Sequence, residues 1–346
     1  MSDRPARARP DGLVGRLLRA ARTAVAIALS VLALLEIVAR LTDPAGISYY
    51  AETARYMDTL IRDEPMGYRN RPGLRGRFFG APVEINALGM RDRELARDPA
   101  DGEFRVAILG DSFPFGIGVP YEESVPAQME RALAAVAPPG VHVRTLNFGV
   151  PSYNTEQELA QFETVVAPLR PRAVALFFAL NDIYPRMWVF EKRASRVTNL
   201  AQRSYAVALL YVLGRRLRPS QADPGTSMAT EYRSDHPRWQ AIDRSLTALH
   251  AKCRQAGIPF VVFTYDDRQR EAMAMVAAVG SREGFPVLPI DPWRDARWKG
   301  EDPRAYVNSP VDSHPNREGC VIYGTLAAEG LIRAGVFRDP PAADVP

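Results

Sequence analysis

Five short apolar runs, Phe104–Leu109, Val141–Asn147, Ala173–Phe178, Phe260–Thr264 and Pro286–Ile290, alternate with longer segments of helical pattern. Several of these runs are apolar at nearly every position, which suits parallel strands covered on both faces. The segments between and after them, Glu122–Val136, Thr155–Leu169, Arg238–Ala256, Arg268–Val279 and Arg317–Ala334, are predicted helices. Asn154-Thr155-Glu156 offers capping chemistry at the start of the second, and Gly257 and Gly335 stand where helices should stop. Such alternation predicts an α/β fold, a three-layer α/β/α sandwich around a parallel sheet.

The amino terminus obeys different rules. Arg4, Arg7, Arg9, Arg16, Arg19 and Arg22 precede an apolar segment from Thr23 to Leu41, interrupted by Glu36 and Arg40. About 20 apolar residues cross a bilayer, so this segment just reaches. The arginines before it, with Asp43 and Glu52 after it, place the amino end in the cytoplasm by the positive-inside tendency. A signal anchor is expected, because no clear small-x-small cleavage site follows the apolar core. A cleaved signal peptide and a soluble amphipathic helix are the competing readings, and residues 24–35 are apolar on every face, unlike a surface helix. The expected organisation is therefore a basic tail (1–22), a transmembrane segment (23–41), an extracytoplasmic neck (42–100) and a main domain (101–346). Within the neck, Ser48 to Asp63 is a predicted helix and Arg77 to Asn86 a predicted hairpin.

Composition excludes some partners. The formal charge is only +4 and the arginines are scattered, so the chain lacks the basic stripe of a nucleic-acid binder. Four histidines and two cysteines show no metal-ligand spacing, and no metal or organic cofactor is expected. Cys253 and Cys320 read as separate buried thiols, with pairing as the alternative. An insertion, 184–237, separates the third and fourth strands. Its apolar run Tyr205–Leu213 is too short to span a bilayer and reads as a packed helix, or as one lying on the membrane or over the active site. Residues 219–236 read as a loop. Trp188, Phe190 and Trp239 are either packing residues or the lining of an acyl or sugar pocket.

The chemistry sits at strand ends. Gly110-Asp111-Ser112-Phe113 follows the first strand, Asn147-Phe148-Gly149 the second and Leu180-Asn181-Asp182 the third. Asp312-Ser313-His314-Pro315-Asn316 falls in a loop just before the last helix. Open α/β sheets bind ligands at the carboxyl edge, where these turns gather. Ser112 is the candidate nucleophile, His314 its base and Asp312 the acceptor that orients the imidazole. Asn181 offers a side-chain amide and Gly149 an unobstructed N–H to a developing oxyanion. The other three histidines read as surface or locally bonded residues.

On these residues the stretch 104–335 resembles the SGNH/GDSL hydrolase family: Gly110-Asp111-Ser112-Phe113, Gly149, Asn181-Asp182, and Asp312 with His314. The resemblance implies a flavodoxin-like fold and an oxyanion hole from the Ser112 N–H, the Gly149 N–H and the Asn181 side chain. The chain departs from the family at Ala179, where glycine is common, and in spacing its acid two residues before the histidine instead of three. Asn86-Ala87-Leu88-Gly89-Met90-Arg91 and the anchor resemble a bacterial membrane-anchored subgroup.

The implied activity is hydrolysis of an acyl ester, acetyl first among candidates, on a carbohydrate or lipid in the periplasm or other extracytoplasmic space. If a sugar hydroxyl replaces water, the same residues make an O-acyltransferase of a surface polysaccharide, with a membrane-bound acyl-donor partner. A non-catalytic carbohydrate-binding scaffold is the third reading.

Overall fold

The computed structural model describes residues 13–185, 200, 202–216, 231–265 and 270–337. Helix α1 (Leu13–Thr42) is long and apolar enough to cross a membrane. The neck follows with α2 (Ser48–Met57) and two hairpins, β1–β2 (Ile61–Asp63, Gly67–Arg69) and β3–β4 (Arg75–Phe78, Ala81–Glu84). The helix expected over Ser48 to Asp63 therefore stops early. Pro65 and Gly67 turn the chain back, and Ile61–Asp63 pairs with Gly67–Arg69.

The main sheet holds β5 (Glu103–Gly110), β6 (His142–Asn147), β7 (Ala173–Phe178), β8 (Phe260–Thr264) and β9 (Val287–Pro289). All pairs are parallel, in the order β6-β5-β7-β8-β9. Numbered within the sheet this is 2-1-3-4-5, the flavodoxin-like order, whose switch point lies between β5 and β7. Side chains alternate between faces. On β7, Val174, Leu176 and Phe178 enter one core, and Ala173, Ala175 and Phe177 the other.

The first core is covered by α5 (Thr155–Gln161), α7 (Pro237–Gln255) and α8 (Arg270–Glu283), the second by α4 (Val125–Ala134) and α9 (Arg317–Arg333). The expected helix Thr155–Leu169 is helical throughout, but it passes through a π-turn at Phe162–Val166 and a 3₁₀ turn at Ala167–Leu169, where Pro168 cannot donate. Cys253 and Cys320 are free and lie in different cores on opposite faces of the sheet, so they do not pair. Burial pushes both thiols up to about 12.

The neck shares a core with the main domain. Tyr56, Tyr68, Phe78, Val83 and Ile85 pack with Phe115, Ile117, Val150 and Tyr153. Of the insertion, α6 (Tyr205–Arg216) is described; Trp188, Phe190 and most of 219–236 lie outside the described residues. Trp239 is a core residue, 4% exposed and against Tyr232.

Candidate active site

Gly110 ends β5 at φ +146°, and a Cβ there would meet Pro114 Cγ at 2.6 Å and Phe177 O at 3.1 Å. The strand can turn this tightly into α3 (Ser112–Phe115) only because the side chain is missing. Asp111 caps this single turn: its Oδ1 accepts from Phe113 N at 3.0 Å. Its Oδ2 accepts from Asn181 Nδ2 at 3.0 Å and lies 3.3 Å from Ser112 Oγ. Ser112 is thus half-buried at the carboxyl edge of the sheet.

The sequence expectation of a loop over Asp312–Asn316 is corrected. Asp312–Pro315 is strand β11, paired antiparallel with β10 (Val307–Ser309), because a short hairpin satisfies its backbone just ahead of α9. In a strand, residues two apart face the same side. The two-residue spacing of Asp312 and His314 therefore brings the two side chains together. His314 Nδ1 lies 2.6 Å from Asp312 Oδ1, and Nε2 lies 2.7 Å from Ser112 Oγ across 202 residues of chain. With Nδ1–H donated to the carboxylate, the Nε2 lone pair accepts the serine hydroxyl. Asn308 Nδ2, absent from the sequence reading, donates to Asp312 Oδ2 at 3.0 Å and to Ile117 O at 2.9 Å.

The electrostatics favour a strong base. Burial disfavours the imidazolium, but the Asp312 hydrogen bond and charge, with Asp111 behind them, outweigh it and raise the His314 pKa above its ordinary value. Asp182 and Glu158 lie buried nearby, and burial pushes both carboxyls well above the usual range.

The structure joins Ser112, His314 and Asp312 in one hydrogen-bonded chain and brings Asn181 to it through Asp111. Gly149 is placed differently. Its N–H already donates to Asn147 Oδ1 at 3.0 Å, and its carbonyl accepts from Asn70 Nδ2 at 3.2 Å. A Cβ on Gly149 would lie 2.4 Å from Phe115 N, so its glycine character lets the β6 loop approach α3. Ser152, in the same loop, holds φ +65°, and none of the described hydrogen bonds uses its N–H. Proline and serine in Val150-Pro151-Ser152 signalled only a turn. Tyr49 of the neck was also missed: its ring lies 6.0 Å from that of His314, and burial, then the Asp312 charge, raises its phenol pKa.

The sequence model of the GDSL-like lipase/acylhydrolase family matches residues 108–321. No curated protein matches the chain. Similar solved structures include a lipase/acylhydrolase from Enterococcus faecalis, at 16% identity and TM-score 0.41, covering 69% of this chain and 100% of that one. A catalytic mutant of an acetylxylan esterase from Geobacillus stearothermophilus is 13% identical, with TM-score 0.42, over 69% and 95% of the two chains. A two-domain esterase active on acetylated mannans is 12% identical, with TM-score 0.46, over 70% and 52%. The matched segment runs from the end of β5, through Ser112, to the first turn of α9 beyond His314, and on that match the chain belongs to the GDSL-like lipase/acylhydrolase family of ester hydrolases.

Proposed function

We propose that this protein is a membrane-anchored serine esterase whose catalytic domain, with the neck, lies outside the cytoplasm. Residues 1–22 form the cytoplasmic tail and 23–41 the span. The bipolar hydrogen bonding of His314, 2.7 Å to Ser112 Oγ and 2.6 Å to Asp312, carries this reading.

Ser112 Oγ attacks the carbonyl carbon of an acyl ester, acetyl first among candidates, on a carbohydrate or lipid. Its proton passes to His314 Nε2 as the C–O bond forms. The imidazolium then gives that proton to the departing alcohol as the ester C–O bond breaks, leaving an acyl-serine. Water, deprotonated by His314, attacks the acyl-serine; the C–Oγ bond breaks, the carboxylic acid leaves and the imidazolium returns the proton to Ser112 Oγ. Asp312 holds the tautomer and stabilises the imidazolium. The oxyanion is met by the Ser112 N–H and by Asn181 Nδ2, released from Asp111. A third donor comes from the loop after β6. Gly149 must give up Asn147 to serve, whereas Ser152 has no such bond to exchange.

A fluorophosphonate probe tests the nucleophile: it should label wild type and not Ser112→Ala, and an unlabelled wild type sinks the proposal. The pH profile tests the base. His314 works only when neutral, so kcat/KM falls as pH drops through its pKa. Because that pKa is raised, the acid limb is expected above pH 6.5, the ordinary histidine value. Asp312→Asn removes the main group that raises it, so the limb should move to lower pH. An unmoved limb would show that Asp312 does not set the basicity.

A further inference from the structure

Glu36 and Arg40 interrupt the apolar run of α1 and have no part in the chemistry above. Both face α6. Glu36 Oε2 accepts from Ser204 Oγ at 2.7 Å and from Ala206 N at 2.8 Å, and Glu36 Oε1 accepts from Arg40 Nε at 2.7 Å. The Arg40 guanidinium lies 4.6 Å from the Tyr205 ring centre. Glu36 therefore caps the start of α6, supplying an acceptor to an N–H that hydrocarbon could not satisfy. Next to it Ala39, Ile47, Ala208 and Val212 form one buried cluster, with Tyr50 and Val311 against it. Tyr211 of α6 meets Tyr50 of α2 at 6.3 Å. The insertion helix is thus fastened to the last turns of α1 and to the segment that follows.

Away from that cluster, Leu210 and Leu213 of α6 are 53% and 43% exposed. On the last turns of α1, Leu34, Ile37 and Leu41 are likewise exposed. The catalytic cleft is close by: Tyr49, seven residues past the end of α1, lies against His314, and Val311 of the same cluster immediately precedes Asp312.

We propose that the end of α1 and helix α6 form one lipid-contacting platform that seats the Ser112–His314 cleft on the bilayer, where it takes its acyl ester from a membrane-borne amphiphile. The chemistry of this proposal rests on the Ser112 reading above; its geometry rests on the α1–α6 contact. At a rise of about 1.5 Å per residue, Glu36 lies about 9 Å below Thr42 along α1. Interfacial helices sink roughly 5–10 Å into the headgroup and acyl boundary, so the capped start of α6 lies at the depth where a cap is needed. Two membrane contacts also fix the orientation of the domain, which a single span leaves free to swivel.

The full-length protein in phosphatidylcholine vesicles tests both parts. For geometry, bimane attached at Leu213→Cys is read against brominated acyl chains, with Cys253 and Cys320 buried and unlabelled. Quenching is expected. Bimane left unquenched, or shielded by a second copy of the chain, overturns the platform. For substrate, Leu210→Asp/Leu213→Asp is assayed on 1,2-dioleoyl-3-acetylglycerol in the vesicles and on p-nitrophenyl acetate in solution. Turnover of the lipid ester should fall about tenfold or more, with the soluble ester within about twofold. Equal loss on both, or none on the lipid, overturns the amphiphile assignment. A wild type inactive on both esters counts against the esterase reading, while the bimane result, read without turnover, still decides the platform.

Discussion

Ser112→Ala and His314→Ala are each expected to lower kcat by on the order of 10⁶-fold, and the double variant should be no slower than either alone. The reason is the 2.7 Å contact between Ser112 Oγ and His314 Nε2. A serine hydroxyl without its base hardly attacks an ester, and a base without its hydroxyl has no proton to take, so removing the second partner takes away nothing that still works. What remains is the oxyanion donors and substrate binding, worth roughly 10³–10⁴-fold over water in comparable sites. For Ser112→Ala stability should change little. The His314 side chain is 16% exposed and can exchange the lost serine hydroxyl for water. Acetate release from the three variants, alongside their thermal melts, checks this. Additive losses would mean that the two residues act independently and that the observed pairing is not the catalytic unit.

Much of this geometry was legible in the chain. Alternation of apolar runs with helical segments implied the sandwich, because strands covered on both faces must be apolar throughout. Strand order was not readable from that pattern; it came with the family resemblance. Ser112, Asn181 and His314 stood out as reactive side chains at turn positions. The local conformation around Asp312 was misread because Ser, Pro and Asn favour loops, whereas pairing with Val307–Ser309 is a tertiary event. The Gly149 N–H was expected to be free; its bond to Asn147 depends on how the β6 loop folds back, which spacing does not encode. Tyr49 and Asn308 reach the site from distant segments whose sequences carry no catalytic pattern. Glu36 and Arg40 were visible as interruptions, but their partners in α6 were not.

Arg91→Met is expected to destabilise the protein by about 4 kcal/mol or more, since several buried carbonyls each lose a donor worth roughly 1–3 kcal/mol. Arg91 is 1% exposed. Its guanidinium donates to Phe115 O at 2.8 Å, to Pro82 O at 3.1 Å, and to the carbonyls of Gly116 and Val119. It also lies 4.8 Å from the centre of the Phe115 ring. Burial lowers its pKa to about 10, so it remains charged at neutral pH. Methionine fills part of the volume but offers those oxygens nothing. At about 2–4 °C per kcal/mol for a domain of this size, the melting temperature should drop on the order of 10 °C. Lysine should not rescue it, because one compact ammonium cannot reach carbonyls that a planar fork serves from two ends. Activity should fall even where the variant stays folded. Phe115–Val119 continues directly from the Ser112 turn, and a misplacement of about 1 Å at a reacting group costs on the order of 10²-fold. A melt within about 2 °C of wild type would remove Arg91 from this role. The residue lies in the neck, outside the matched stretch 108–321, yet it holds the turn that presents the serine. For that reason a chain cut at residue 101 should lose both the fold of the nucleophile loop and its reactivity, however complete the matched segment is.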